Sequence, residues 1–391
     1  MKIAQIAPLF ESVPPRLYGG TERVVSFLTE ELVKQGHQVT LFASADAITS
    51  AELVACAPGA LRLDDKIRDA IPQFMLMLDK VRERADDFDV LHFHIDYLHF
   101  PLFRSESYRT LTTLHGRLDL PDHLQFYLRF QEMPLASVSH AQQLPLPTAN
   151  FVATVHHGLP IDLHRPTFDT RSDYLAFLGR LSPEKRPDRA IAVARAVGMP
   201  LKIAARADPV NEGCYFREVI LPLLRGPDVE LVGEIDDPAK TEFLGHAAAL
   251  LFPVDWPEPF GLVMIEAMAC GTPVIAFPCG SVPEVIEDGL TGRIVSTVDE
   301  AAQAVAQVLK LDRKAVRRRF EERFSAVRMT KDYLRLYRAM TRRPADRGDD
   351  LVAASAATAH LSSARPPDII GDRDPIRDNS PVSHELCTEK V

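Results

Sequence analysis

Short apolar runs alternate with longer amphipathic ones along this chain. Residues 2–7 (Lys-Ile-Ala-Gln-Ile-Ala) read as a buried strand, and 21–35 as a helix with Val24, Val25, Leu28, Leu32 and Val33 at helical spacing. Gly36 stands at the stop of that helix, and 38–43 form the next strand. Further strands are expected at 90–94, entered from a helical stretch at 66–84, and at 111–114 and 136–139. A second series starts near Tyr174, with strands at 175–178, 201–204, 229–232, 249–252 and 274–277 and helices at 187–197 and about 261–269. This alternation predicts an α/β protein made of two Rossmann-like, doubly wound parallel-sheet domains. The turn-rich stretch 158–171, with Pro160 and Pro166, reads as their join, dividing the chain into 1–168 and 169–328. A last helix is expected over 331–340, where Tyr333, Leu334, Leu336 and Tyr337 fall.

Beyond Arg342 the pattern ends. Ala, Ser, Asp, Arg and Pro dominate, and aromatic residues vanish, so 342–391 is expected to be a disordered tail, with at most a transient helix at 353–361. For the rest, 46% hydrophobic and 25% charged residues in a chain of 391 are globular values that suit two cores. A net charge of −9 argues against a nucleic-acid binder. The Arg317-Arg318-Arg319 run, followed at once by Glu321 and Glu322, reads as a solvated helix face. The apolar opening is shorter than a signal peptide, and no run reaches the roughly 20 apolar residues of a membrane helix. Cys56, Cys214, Cys270, Cys279 and Cys387 show no Cys-x-x-Cys spacing, so reduced thiols, a cytoplasmic location and no zinc site are expected.

The candidate chemistry concentrates in two segments. In Asp255-Trp256-Pro257-Glu258-Pro259-Phe260-Gly261-Leu262-Val263-Met264-Ile265-Glu266, one carboxylate lies in a loop and the other in the next helix. Gly261 falls at the turn into that helix, where free amides and the helix dipole suit a phosphate. Glu266 lies more than a turn further in, where it is suited to accept ribose hydroxyls. A capped helix with one surface acid explains this segment alone equally well. In Gly179-Arg180-Leu181-Ser182-Pro183-Glu184-Lys185-Arg186, Arg180 and Lys185 bracket a turn at the carboxyl end of the strand at 175–178, where open sheets bind ligands. There a forked guanidinium and a point-charge ammonium can neutralise a diphosphate, although either cation singly reads as an ordinary surface charge.

Together these segments resemble the retaining family-4 glycosyltransferases, which have the GT-B architecture of two Rossmann-like domains facing a cleft. The resemblance spans roughly residues 1–340. It rests most on Glu258 and Glu266 as a Glu-x7-Glu signature, joined in order by Gly179-Arg180 with Lys185, by residues 269–274 and by Gly280-Ser281-Val282-Pro283-Glu284. Tyr18-Gly19-Gly20-Thr21-Glu22-Arg23 and Leu114-His115-Gly116 match as well, and Val138-Ser139-His140-Ala141-Gln142 more loosely. The resemblance implies that Arg180 and Lys185 hold the donor diphosphate and stabilise it as it leaves. It also implies that Glu266 binds the ribose, that Glu258 bonds sugar hydroxyls and that the amides of Phe260, Gly261, Leu262 and Val263 lie near sugar and phosphate. Gly19 and Gly20 would face the diphosphate, and His115 would contact the sugar near the reacting carbon. A crossover helix at about 329–341 would complete the first domain.

The activity this resemblance implies is transfer of a hexose-type sugar from a nucleoside diphosphate sugar to an acceptor hydroxyl, with retention and without cofactor or metal. The acceptor is expected to be a carbohydrate, a lipid-linked molecule or a small molecule, docking on the loops at 97–108 and 118–130, whose aromatics leave room for weak peripheral membrane contact. Three features depart from the common pattern. Pro259 replaces a frequent glycine, tolerable in a first helical turn; His156-His157-Gly158 stands where Asn-Gly is frequent; and residues 205–209, with Arg206, replace a glycine-rich loop. Asp87-Phe88-Asp89 reads as a solvated turn, and His92-Phe93-His94 lacks companion ligands for a metal. The rival readings are a nucleotide-sugar epimerase of the same fold and a non-catalytic nucleotide-sugar-binding protein. An NAD-dependent oxidoreductase is disfavoured because no Gly-x-Gly-x-x-Gly follows the first strand.

Overall fold

The apolar runs become two parallel sheets because each is covered on both faces, which suits strands that are hydrophobic throughout rather than alternating. The computed structural model describes residues 1–16, 19–64, 66–166, 168, 173–205 and 213–341. Tyr18, Arg206 and the tail at 342–391, with its suggested helix, lie outside them. The residues Met1–Thr341 form one compact unit.

The first sheet contains β1 (Lys2–Ile6), β2 (Gln38–Ser44), β3 (Glu52–Ala57), β4 (Val90–Phe93), β5 (Thr110–Thr113), β6 (Leu135–Ser137) and β7 (Phe151–Thr154), in the order β3-β2-β1-β4-β5-β6-β7. The second contains β8 (Leu175–Leu178), β9 (Leu201–Ala204), β10 (Val229–Gly233), β11 (Ala249–Phe252), β12 (Val274–Ala276) and β13 (Gly292–Ile294), in the order β10-β9-β8-β11-β12-β13. The three strands that the periodicity does not announce, β3, β7 and β13, are all edge strands. Paired on one side only, they carry Glu52, Thr154 and Arg293 and are only partly buried.

Helices fill both faces. Gly20–Lys34 buries Val24, Leu28 and Leu32 on the first sheet beside Ile3 and Val90. The helix Ala326–Thr341 begins five residues before the periodicity places it, and packs Met329, Tyr333, Leu334 and Tyr337 into that same first-sheet core. The chain therefore returns to the first lobe after building the second. The two crossing segments meet where Leu159 and Ser325 bridge, with Leu159 N–H donating to Phe324 O at 2.9 Å and Ala326 N–H to Leu159 O at 2.8 Å. Arg328 locks the crossing by donating to the carbonyls of His156 and His157, both at 2.8 Å. Arg328→Ala strips those carbonyls of a charged donor and is expected to lower stability by about 2 kcal/mol. Urea unfolding of the two proteins checks this.

The basic run at 317–319 corrects the solvated-face reading. Arg317 is buried and donates to the carbonyls of Ile161 at 2.6 Å, His164 at 2.7 Å and Ala269 at 2.5 Å. Carbonyls left over where chain segments end need donors, and a five-donor guanidinium supplies several at once. Arg319 pairs with Glu287, and Arg318 alone of the three is largely exposed.

Candidate functional site

Two helix N-termini converge between the lobes. In the first lobe the turn after β1 enters Gly20–Lys34 through Gly19, whose φ of 145° favours glycine; a Cβ there would stand 2.7 Å from Pro15 Cβ. In the second, the turn after β11 enters Leu262–Ala269 through Gly261, with φ 77° and room for no side chain against Met264 and Phe252. A Cβ on Gly20 would lie 3.4 Å from Leu262 Cδ1, so the two helix starts nearly touch. First-turn amides have no acceptor within their own helix, and both dipoles present their positive ends to the same space. Pro259 corrects the expectation of a first helical turn, because it sits in the turn ahead of Gly261.

That space is a cleft of about 360 Å³, within the range of small-molecule sites. Gly19, Gly20, His115, Arg180, Lys185, Glu258, Phe260, Gly261, Leu262, Val263 and Glu266 all line it. Arg180 donates to Glu184 at 2.7 Å near the surface. Lys185, more enclosed, pairs with Glu258 and sits 4.9 Å from the centre of the Trp256 ring. Trp256 Nε1 donates to the same Glu258 oxygen at 2.9 Å. The loop carrying Glu258 is pinned from behind: Ser281 N–H donates to Glu258 O at 3.0 Å, and Ser281 Oγ to Phe260 O at 2.7 Å.

At the other end Glu266 is buried, and Lys240 Nζ donates to its Oε1 at 2.8 Å. Lys240 also stands 3.5 Å from Asp237, which in turn pairs with Arg23 of the first lobe. Burial opposes the Glu266 charge, but Lys240, with His164 and Arg23 further out, outweighs it and holds the carboxyl below its ordinary 4.5. A carboxylate depressed in the fold contributes stability that is complete above the ordinary value and is lost as pH falls through the depressed one. Glu266→Gln is therefore expected to flatten the decline of stability as pH falls from above 4.5 into the acid range below it. Denaturation midpoints measured across that range test this, and parallel curves for the two proteins would contradict it.

His115 belongs to a buried network. Gln5 donates to Tyr337 Oη at 3.1 Å, and its Oε1 lies 2.8 Å from His94 Nε2, which therefore carries the proton. His94 Nδ1 is then an acceptor for His115 Nε2, 2.9 Å away. Burial pushes the His115 pKa down to about 3, so the ring is neutral at physiological pH. His157 stacks on it, with centroids 5.3 Å apart, and meets Phe260 edge-on at 4.8 Å. His92 is committed to Tyr337 at 2.7 Å and Thr113 at 2.8 Å. The nitrogens of the His92-Phe93-His94 pair are thus spent on hydrogen bonds. Among the described residues no group of three His, Cys, Asp or Glu is placed to hold a metal ion.

Thr21, Arg23, His157, Lys240 and Trp256, to which the sequence gives no role, line the cleft as well. Trp256 lies inside the Glu258 segment, two residues before the carboxylate it serves. Lys240 has no local signal, because its partner is Glu266, 26 residues away.

Comparison with known proteins bears on the family and the fold. Residues 162–324 match the family described as Glycosyl transferases group 1, and residues 18–144 match Glycosyltransferase Family 4. Over 187 residues the chain is 33% identical to the D-inositol 3-phosphate glycosyltransferase of Mycobacterium leprae (strain Br4923), a match covering 41% of each chain. A protein of the same name from Mycobacterium tuberculosis (strain F11) is likewise 33% identical over 187 residues, 41% of this chain and 36% of that one. The match thus spans about two fifths of these curated relatives. Among solved structures, a sucrose-phosphate synthase from Thermosynechococcus elongatus superposes with TM-score 0.73 at 20% identity, covering 87% of this chain and 98% of that one. AviGT4, a glycosyltransferase involved in avilamycin A biosynthesis, gives TM-score 0.66 at 24% identity over 87% and 98%. HepE of Anabaena, solved with UDP-glucose, gives 0.66 at 18% over 87% and 100%. At these identities the superpositions speak for the fold, which is GT-B. With one family match on each lobe and the GT-B fold between them, the chain belongs to the family-4 glycosyltransferases.

Proposed function

We propose that the chain moves a hexose-type sugar from a nucleoside diphosphate sugar to an acceptor hydroxyl, retaining the anomeric configuration. The observation that carries this reading is the convergence of Arg180, Lys185 and two helix N-termini on one cleft that ends at the buried Glu266 carboxylate. A diphosphate needs cations and amides, and a ribose needs a hydrogen-bond acceptor. The structure of HepE with UDP-glucose supports the donor class.

Breaking the anomeric bond leaves positive charge on the sugar ring and negative charge on the departing phosphate. Arg180, Lys185 and the amides of Leu262 and Val263 meet that negative charge with groups already in place. Carboxylates hold both cations: Glu184 holds Arg180 and Glu258 holds Lys185. An arriving diphosphate replaces those partners and frees Glu258 to accept hydroxyls of the sugar. The acceptor oxygen then bonds to the anomeric carbon on the face the phosphate leaves, and its proton passes to the departing phosphate oxygen. His115, neutral, contacts the sugar by hydrogen bonding and packing rather than by charge. These groups supply the positive potential that the leaving group requires, so the reading assigns no step to a metal.

Incubation with UDP-, GDP- and ADP-sugars, with and without a panel of hydroxyl acceptors, tests the assignment. Free nucleoside diphosphate and glycosylated acceptor are expected. A donor whose sugar is isomerised while still attached would instead favour an epimerase, and binding without turnover would favour a non-catalytic sensor.

A further inference from the structure

Beside the donor cleft, the first lobe holds a second set of polar side chains that the mechanism above does not use. Two residues beyond His94, Asp96 adopts a left-handed backbone with φ 53°. It follows β4, and the sheet order changes direction between β1 and β4, so Asp96 stands at the crevice beyond the carboxyl ends where open parallel sheets take ligands. Its side chain is exposed, yet enough protein surrounds it for desolvation to raise its pKa against the pull of nearby His123. Among the described residues the Asp96 carboxylate makes no hydrogen bond or ion pair, so nothing local compensates a backbone conformation that a non-glycine residue adopts at a cost.

The groups around it are of matching kind. His123, near the start of the helix Pro121–Arg129, has a buried Nδ1 with no partner. Tyr97 lies next in sequence to Asp96, with its ring centre 5.9 Å from His123 and 4.7 Å from Phe126. Arg117 links this corner to the donor cleft: it donates to Asp119 at 2.7 Å, and its guanidinium lies 5.8 Å from the centre of the Trp256 ring.

We propose that Asp96, His123 and the Tyr97–Phe126 wall form the acceptor subsite and bind a polyhydroxylated six-membered ring such as a pyranose. A carboxylate accepts from two neighbouring hydroxyls, an imidazole nitrogen bonds a third, and the aromatic wall covers the C–H face of the ring. Arg117 and Trp256 then set the ring's reactive hydroxyl toward the donor. This assignment rests on the transferase reading of the neighbouring cleft.

The test uses the full chain with ¹⁵N-labelled histidine, saturated with whichever of UDP, GDP or ADP binds. The His123 signal, assigned by its loss in His123→Gln, is followed while methyl α-glucopyranoside and, separately, myo-inositol are added. The expected result is a saturable shift with at least one ring, and an affinity at least tenfold weaker in Asp96→Asn, whose nucleotide affinity stays within twofold of the parent. An unmoved His123 signal with both rings, an unchanged affinity in Asp96→Asn, or a response to ethanolamine in place of either ring would overturn the assignment. Nucleotide binding in the same samples separates the two readings. A chain that binds a nucleoside diphosphate but neither ring loses only the acceptor subsite, whereas one that binds no nucleoside diphosphate loses the donor reading.

Discussion

Lys185→Ala is expected to lower kcat by about 10²–10³, the loss seen when one fixed donor to a developing anion is removed. The ammonium lies between Glu258 and the Trp256 ring, withdrawn from bulk solvent, where a single charge acts more strongly than at a surface. The same substitution leaves Glu258 with only the Trp256 indole as donor, so a moderate loss of stability accompanies the loss of turnover. Arg180→Ala separates the two effects. Its pair with Glu184 is substantially exposed, and such pairs contribute little to stability, so its melting temperature should barely move while turnover falls by about 10². Lys185→Arg is not a rescue, because a planar fork does not fit where a compact ammonium sits. Steady-state kinetics beside thermal unfolding of both alanine variants decides the matter, and near-normal transfer by both would remove the diphosphate assignment.

Gly280→Ala should be as damaging without touching any charged group. Gly280 has φ 58°, and a Cβ there would overlap the backbone of Glu258 and Pro257. Backbone cannot swing aside as a flexible side chain does, so either the Gly280 turn or the Glu258 loop has to shift. Ser281 ties the two together through Glu258 O and Phe260 O, and the displacement therefore reaches the carboxylate that holds Lys185. A loss of about 2–4 kcal/mol in stability and at least a hundredfold loss of transfer is expected, the first from overlap and left-handed strain and the second from misplacement. Urea unfolding and initial rates on the same preparation check both. A variant that folds normally and still transfers would show that the loop is held by other means.

What the chain discloses in advance depends on how local each feature is. Gly261, Glu258 and Glu266 lie within one segment whose turn, amides and carboxylates can be read together, and Arg180 and Lys185 bracket one turn at a strand end. The partners that tune them come from elsewhere: Lys240 reaches Glu266 from another helix, Arg23 reaches Asp237 from the other lobe, and Gln5 fixes the proton on His94 and hence on His115. No period or spacing encodes such meetings. The fold obeys the same rule. The edge strand β13 is three residues long with Arg293 at its centre, whereas β3 and β7 carry apolar runs at 53–57 and 151–153 whose partial cover shows only once the neighbouring strand is placed. Arg317 was obscured by its neighbours, since a buried arginine and a solvated one are identical in sequence until the carbonyls around them are placed.

Calorimetric titration with UDP, GDP and ADP, each beside its monophosphate, reaches the heart of the matter without knowledge of the acceptor. If cations and helix amides from both lobes grip a diphosphate, at least one diphosphate must bind more tightly than its monophosphate, and that margin must shrink in an Arg180→Ala/Lys185→Ala double variant. Equal affinities for mono- and diphosphates, or a double variant that keeps the full margin, would contradict it.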